Sequence, residues 1–150
     1  MSHTYSNLLS HVVFSTKDRQ PLIDLDLKPR LLGYMNGIVN ENGGKVLALN
    51  AMPDHLHMLW ELKPTSSLSD AMRVLKTNSS RWVGEAWGTR KPFAWQTGYA
   101  AFSVSRSNVS AVANYIDAQE RHHRKRTFHD EFIQLLVKHG IPYDPKYVFG

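Results

Sequence analysis

Two apolar, β-prone runs constrain this chain more than any other feature: Val46-Leu47-Ala48-Leu49, and His55-Leu56-His57-Met58-Leu59-Trp60 just past a Met52-Pro53-Asp54 turn. So short a link predicts neighbouring strands that run antiparallel. Helical patterns bracket the pair. Before it, Leu27, Leu31, Leu32, Met35, Ile38 and Val39 recur at helical spacing, and Asn42-Gly43-Gly44 supplies a stop. After it, Ser67 with Asp70 three residues on resembles a capping box, ahead of Leu68, Met72, Leu75 and Trp82. Residues 5–15 read as an opening strand ended by a charged turn, and 93–95 and 99–104 as short strands. Ser107 or Asn108 can cap a helix through Val109, Val112, Ile116 and Gln119, and Thr127 a last one through Phe128, Phe132, Leu135 and Leu136. The order β-α-β-β-α-β, with helices appended, predicts an α+β fold. It is the ferredoxin-like split βαβ arrangement: an antiparallel sheet with helices on one face and an added C-terminal helix bearing Tyr115.

At 150 residues this is one domain, 1–150, with room for a sizeable core. The chain has no cysteine, which excludes disulfides, thiolate zinc sites and a cysteine nucleophile. Eighteen Lys and Arg against thirteen Asp and Glu leave a net charge of +5, which favours a polyanionic partner. No signal-like or membrane-length apolar run is present in the sequence, so a cytoplasmic protein is expected.

Side chains alternate faces along a strand, so His55 and His57 point the same way and Leu56 into the opposite layer. Taken alone, an H-x-H is more often a pair of satisfied histidines. Here a second constellation joins it: Tyr115 and Gln119 lie one helical turn apart on one face. A His55-His57-Gln119 set leaves a divalent metal open positions for phosphate oxygens, and a nearby Tyr115 can attack phosphorus. This set contains no general-base carboxylate. The basic run Arg121-His122-His123-Arg124-Lys125-Arg126 follows the tyrosine, where it can grip a phosphate backbone. Arg73, Lys76 and Arg81 fall on the polar side of the central helix, with solvent exposure their default state. His122 and His123 are adjacent on a helix and diverge by about 100°, which argues against shared coordination. Of Trp95, Tyr99 and Phe102, which have rings able to stack on bases, most read as core.

The segment Met52 to Leu59 resembles the His-hydrophobic-His motif of HUH-superfamily nucleases. The chain as a whole resembles the single-tyrosine transposases of the insertion sequence 200/605 type. Residues 5–19, 68–81, 93–105 and 115–123 each look like a stretch of that family, in order. The resemblance implies one HUH transposase domain that cleaves and rejoins single-stranded DNA at insertion-sequence ends. Tyr115 would carry a 5′-phosphotyrosine, and His55, His57 and Gln119 would hold Mg²⁺ or Mn²⁺. It further implies hairpin-ended DNA as partner and a homodimer in which the tyrosine helix can complete the partner's site. Arg73, Lys76, Arg81, Arg121, Arg124, Lys125 and Arg126 are the candidate DNA contacts. Two alternatives stay open: a domesticated repeat-associated relative with the same chemistry, and a non-catalytic ferredoxin-like nucleic-acid-binding module.

Overall fold

The computed structural model describes residues 3–87 and 92–149. Strand β1 spans Leu9–Ser15, helix α1 Leu27–Glu41, β2 Lys45–Met52, β3 His55–Glu61, α2 Leu68–Ala86 and β4 Ala100–Ser103. Three shorter helices follow: α3 Val109–Asp117, α4 Gln119–His122 and α5 Phe128–Lys138. The four strands form one sheet in the order β2-β3-β1-β4, and every pairing is antiparallel. That is the ferredoxin-like order predicted above. Among the described residues, no helix is long and apolar enough to cross a membrane.

Period-two alternation divides the central strands between two layers. Leu56, Met58 and Trp60 on β3, with Val12 and Phe14 on β1, pack under α1 and α2. The buried stripe Leu27, Leu31, Met35, Ile38 and Val39 seats α1 on that face. Ser67 caps α2 by accepting from the Asp70 amide at 3.2 Å, as its sequence pattern predicts. The opposite face carries His11, His55 and His57, and the appended helices close over it. Two separate apolar clusters do the covering there. Leu9, Ala48, Leu59 and Val104 meet Ile116 of α3, while Val13, Ala100 and Phe102 meet Phe128, Phe132, Leu135 and Leu136 of α5.

Three local expectations differ from the structure. β1 begins at Leu9 rather than at residue 5. Residues 93–95 contribute only an isolated bridge, Thr16 to Trp95, because Trp95 turns inward to donate to Ser79 Oγ at 2.9 Å. The helix expected through Gln119 breaks at Ala118 (φ −96°, ψ 18°), so Tyr115 and Gln119 sit on successive helices, α3 and α4.

The stop after α1 is steric as well as conformational. Gly43 adopts φ +81°, open to glycine at no cost, and a Cβ on Gly44 would lie 2.7 Å from Trp60 Nε1 and 3.1 Å from the Glu61 carbonyl. Overpacking of this kind costs about 1–3 kcal/mol. Gly44→Ala should therefore lower the thermal midpoint by several degrees in a melting curve, whereas Gly84→Ala, with open space around it, should leave it unchanged or raised.

Candidate active site

The site is built on β3. Its register pairs His57 with Val13 of β1 and Asn50 of β2, and His55 with Ser15 and Met52, so both histidines rise from the middle of the sheet and are buried. Each imidazole is tethered through Nδ1. His55 Nδ1 lies 2.7 Å from Asp54 Oδ1, and His57 Nδ1 lies 2.9 Å from His11 Nε2 on the neighbouring strand. Both Nε2 atoms are thereby left facing one point.

That point is occupied by a side chain no sequence pattern had singled out. Glu131, fully buried on α5, places Oε1 2.9 Å from His57 Nε2, 3.1 Å from His123 Nε2 and 3.5 Å from His55 Nε2. Its Oε2 accepts a very short hydrogen bond from the Tyr115 hydroxyl. A carboxylate therefore does stand beside the tyrosine, a correction to the reading above. It was hidden because Glu131 lies 74 residues from His57 in an ordinary amphipathic helix.

Tyr115 is placed by the end of α3. Asn50 Nδ2 donates to the Ile116 carbonyl at 2.9 Å, fixing the helix end against β2, and the phenol ring meets the His57 ring of its own chain edge-on at 5.8 Å. Arg126 Nη2 donates to the phenolic oxygen at 2.8 Å, and His122 stacks on the ring at 4.8 Å. Gln119 is buried, with Oε1 3.0 Å from His123 Nε2 and 3.4 Å from His55 Nε2. His122 and His123 do diverge, yet both reach the site, one over the tyrosine and one beside the histidine pair.

The predicted basic residues divide by layer. Arg121, Lys125 and Arg126 line a cleft of about 590 Å³ whose wall includes Tyr115. Arg124 is exposed on the same run. Arg73, Lys76 and Arg81 belong to α2, on the far side of the sheet. Of these, Lys76 is not a solvated lysine. Its ammonium donates to the Gln96 and Gly98 carbonyls at 2.5 and 2.9 Å, and burial lowers its pKa to about 8. Trp95 and Phe102 are core residues as read, while Tyr99 is partly exposed.

Burial pushes the Tyr115 phenol well above its ordinary value, and the hydrogen bond to Glu131 and its charge add to this, so the resting phenol is neutral. For Glu131 burial acts upward, but hydrogen bonds from His123 and His57 outweigh it and keep the carboxyl ionised. The donor set suits a divalent cation. His55, His57 and Glu131 each present a ligand atom, all within 4.8 Å of one another, and combine two imidazoles with one hard carboxylate. Asp54 and His11 orient the rings from behind, as outer partners do at metal centres.

A ferredoxin-like sheet with a strand-borne histidine pair, a helix-borne tyrosine and a carboxylate buried on one face defines a compact class of α+β domain. The comparisons narrow it. The family model for IS200-like transposases matches residues 4–119. The ISDra2 transposase TnpA of Deinococcus radiodurans is 25% identical over 114 residues, spanning 73% of this chain and 81% of its own length. The transposase for insertion sequence element IS200 of Salmonella typhimurium is 27% identical over 124 residues, spanning 79% and 81%. Among solved structures, a Deinococcus radiodurans protein assigned as a transposase superposes with a TM-score of 0.64 at 24% identity, covering 79% of this chain and 95% of that one. A REP-associated tyrosine transposase bound to a REP hairpin superposes with a TM-score of 0.60 at 16% identity, covering 82% and 74%. The chain belongs to the IS200-like transposase family. The matched span ends at Gln119, so His123, Arg126 and Glu131 lie beyond it.

Burial lowers the pKa of His11 from 6.5 to about 3 and also lowers that of His57. On acidification the unfolded chain takes up these protons first. The stability that the neutral imidazoles provide is full above pH 6.5 and lost as pH falls below it. For His11 the cost should be about 1.4 kcal/mol per pH unit in that range. Denaturant titrations at pH 7, 6 and 5 should show the decline, and His11→Phe should make it shallower.

Proposed function

We propose that this chain cleaves and rejoins single-stranded DNA at insertion-sequence ends through a 5′-phosphotyrosine on Tyr115. One observation carries the reading: the Tyr115 hydroxyl meets the Glu131 carboxylate beside the Nε2 atoms of His55 and His57, at the wall of a basic cleft. Tyr115 Oη attacks the phosphorus of a phosphodiester, and its proton passes to Glu131 Oε2. As the O–P bond forms, the bond to the 3′-oxygen breaks and its electron pair stays on that oxygen, which takes a proton from solvent. The phosphotyrosine conserves the energy of the original bond, so attack by a 3′ hydroxyl rejoins strands without ATP. Arg126, already donating to the phenolic oxygen, stabilises charge gathering there.

His55, His57 and Glu131 would hold Mg²⁺ or Mn²⁺, with Gln119 Oε1 a neutral donor beside them. Such a cation would offset the charge of Glu131 and stabilise negative charge developing on a bound phosphate. Arg121, Arg124, Lys125 and Arg126 take the backbone flanking the cleaved phosphate, and Arg73 and Arg81 serve DNA passing the opposite layer, where the Lys76 ammonium is already held by loop carbonyls. The REP hairpin held by the second structural neighbour supports a hairpin-ended strand as substrate. The whole chain acts as one domain, in the cytoplasm. The functional unit is a homodimer, which would pair the open edges of the sheet, β2 or β4. Each subunit uses its own tyrosine.

Incubation with labelled single-stranded hairpin ends and Mg²⁺ should give a covalent protein–DNA adduct. Tyr115→Phe should bind the DNA and form none. Glu131→Gln should slow adduct formation about 10²-fold or more, as loss of a general base does. Adduct from Tyr115→Phe, or formation indifferent to EDTA, would overturn the assignment.

Mixing subunits tests the composition of each site. With the phenol serving its own chain's histidines, a mixture of His57→Ala and Tyr115→Phe proteins should stay inactive, since every site then carries one defect. Recovery of adduct on mixing would mean that the tyrosine helix crosses between subunits.

A further inference from the structure

The Tyr115 ring forms the wall between two cavities of opposite chemistry. On one side is the basic cleft of about 590 Å³ with Arg121, Lys125 and Arg126; on the other is a pocket of about 350 Å³, and Ala111 borders both. The second pocket is lined largely by uncharged groups. His11 and Val104 form its floor, and Ser103, Asn108 and His139 stand at its rim. Lys138 is the one lysine or arginine among its lining residues.

Several of these groups are unspent. Asn108 precedes α3 without using its side chain as a cap. His139 Nδ1 is engaged by the Leu135 carbonyl at 2.8 Å and its ring stacks on Phe102 at 4.2 Å, leaving Nε2 unpartnered among the described residues. His11 uses Nε2 toward His57 and keeps its other ring nitrogen unengaged among the described residues. An amide, a hydroxyl and imidazole nitrogens around apolar walls present donors and acceptors without concentrated charge. That lining matches the edge and faces of a base rather than a phosphate.

We infer that this pocket receives the unpaired nucleobase next to the scissile phosphate, so that the strand's backbone lies in the basic cleft and one base is read across the tyrosine. The inference rests on the reading of Tyr115 as the nucleophile. For attack, phosphorus must come within about 3–3.5 Å of Tyr115 Oη. The base on the adjoining sugar is then within reach of a cavity that the same ring encloses. Single strands leave each base edge free, and ring stacking with hydrogen bonds to that edge is how they are read. The cavity is within the size range of small-ligand sites, about 300–1,000 Å³.

The test uses a single-stranded DNA library, a hairpin followed by a randomised tail, retained on immobilised Tyr115→Phe protein and sequenced. One tail position should be enriched for one base. Asn108→Ala and His139→Phe, placed in the Tyr115→Phe background, should each cut that preference about tenfold while hairpin retention persists. The phenylalanine at 139 keeps a ring against Phe102, and melting curves confirm that both variants fold. A tail without preference, or a preference unchanged in both variants, overturns the inference. Covalent adduct formation by the unmodified protein on the retained pool is read separately. Its absence would remove the proposed chemistry, whereas adduct formed without base preference would remove the pocket alone.

Discussion

An ionised carboxylate taken out of water costs several kcal/mol unless its oxygens are occupied, and those of Glu131 are occupied from three elements at once. β3 supplies His57, α3 supplies Tyr115, and the turn after α4 supplies His123. Each partner satisfies the charge, and the charge in turn fixes each partner's position. Removing one member of such a cluster typically costs about 3–5 kcal/mol, because the rest is left buried and unmatched. The polar seam between the two apolar clusters of that layer is thus held by its own electrostatics as well as by ring contacts such as His55 on Phe128.

The same arrangement separates charged from neutral groups. Concentrated positive charge lies outside the tyrosine, in the cleft of Arg121, Lys125 and Arg126, where it meets solvent. The histidines lie inside, out of water, with His11 and His57 held neutral by burial. A neutral imidazole keeps a lone pair, while a guanidinium in the open cleft keeps its donors hydrated. Between the two stands a phenol whose proton is held in place by burial and by the neighbouring Glu131.

Much of this was legible in the residues themselves. The strand order followed from the β-α-β-β-α-β pattern, and the placement of His55 and His57 on one face from simple alternation. Tyr115 and Gln119 were legible as a pair through their four-residue spacing, although a helix break at Ala118 separates their elements. Glu131 and His11 were not. One lies on a helix whose stripe of Phe128, Phe132, Leu135 and Leu136 accounts for its amphipathic pattern, and the other is a single histidine in a mainly apolar strand. Neither has a local spacing to any ligand; only the long-range register of β1 on β3 and the docking of α5 bring them in. Lys76 was misread for a similar reason, since the carbonyls that bury its ammonium belong to a loop twenty residues away.

The two-residue turn between β2 and β3 has a consequence for how this site can change over time. His57 faces Glu131 because it pairs with Val13 and Asn50, and side chains swap faces at every step along a strand. A shift of β3 by a single position would send both imidazoles into the layer beneath α1 and α2 and bring Leu56 and Met58 up against the carboxylate. A shift by two would preserve the facing while exchanging which residue stands where. Length variation in this hairpin is therefore governed by parity: descendants of this chain can gain or lose pairs of residues there, but a single insertion absorbed by the strand inverts the site.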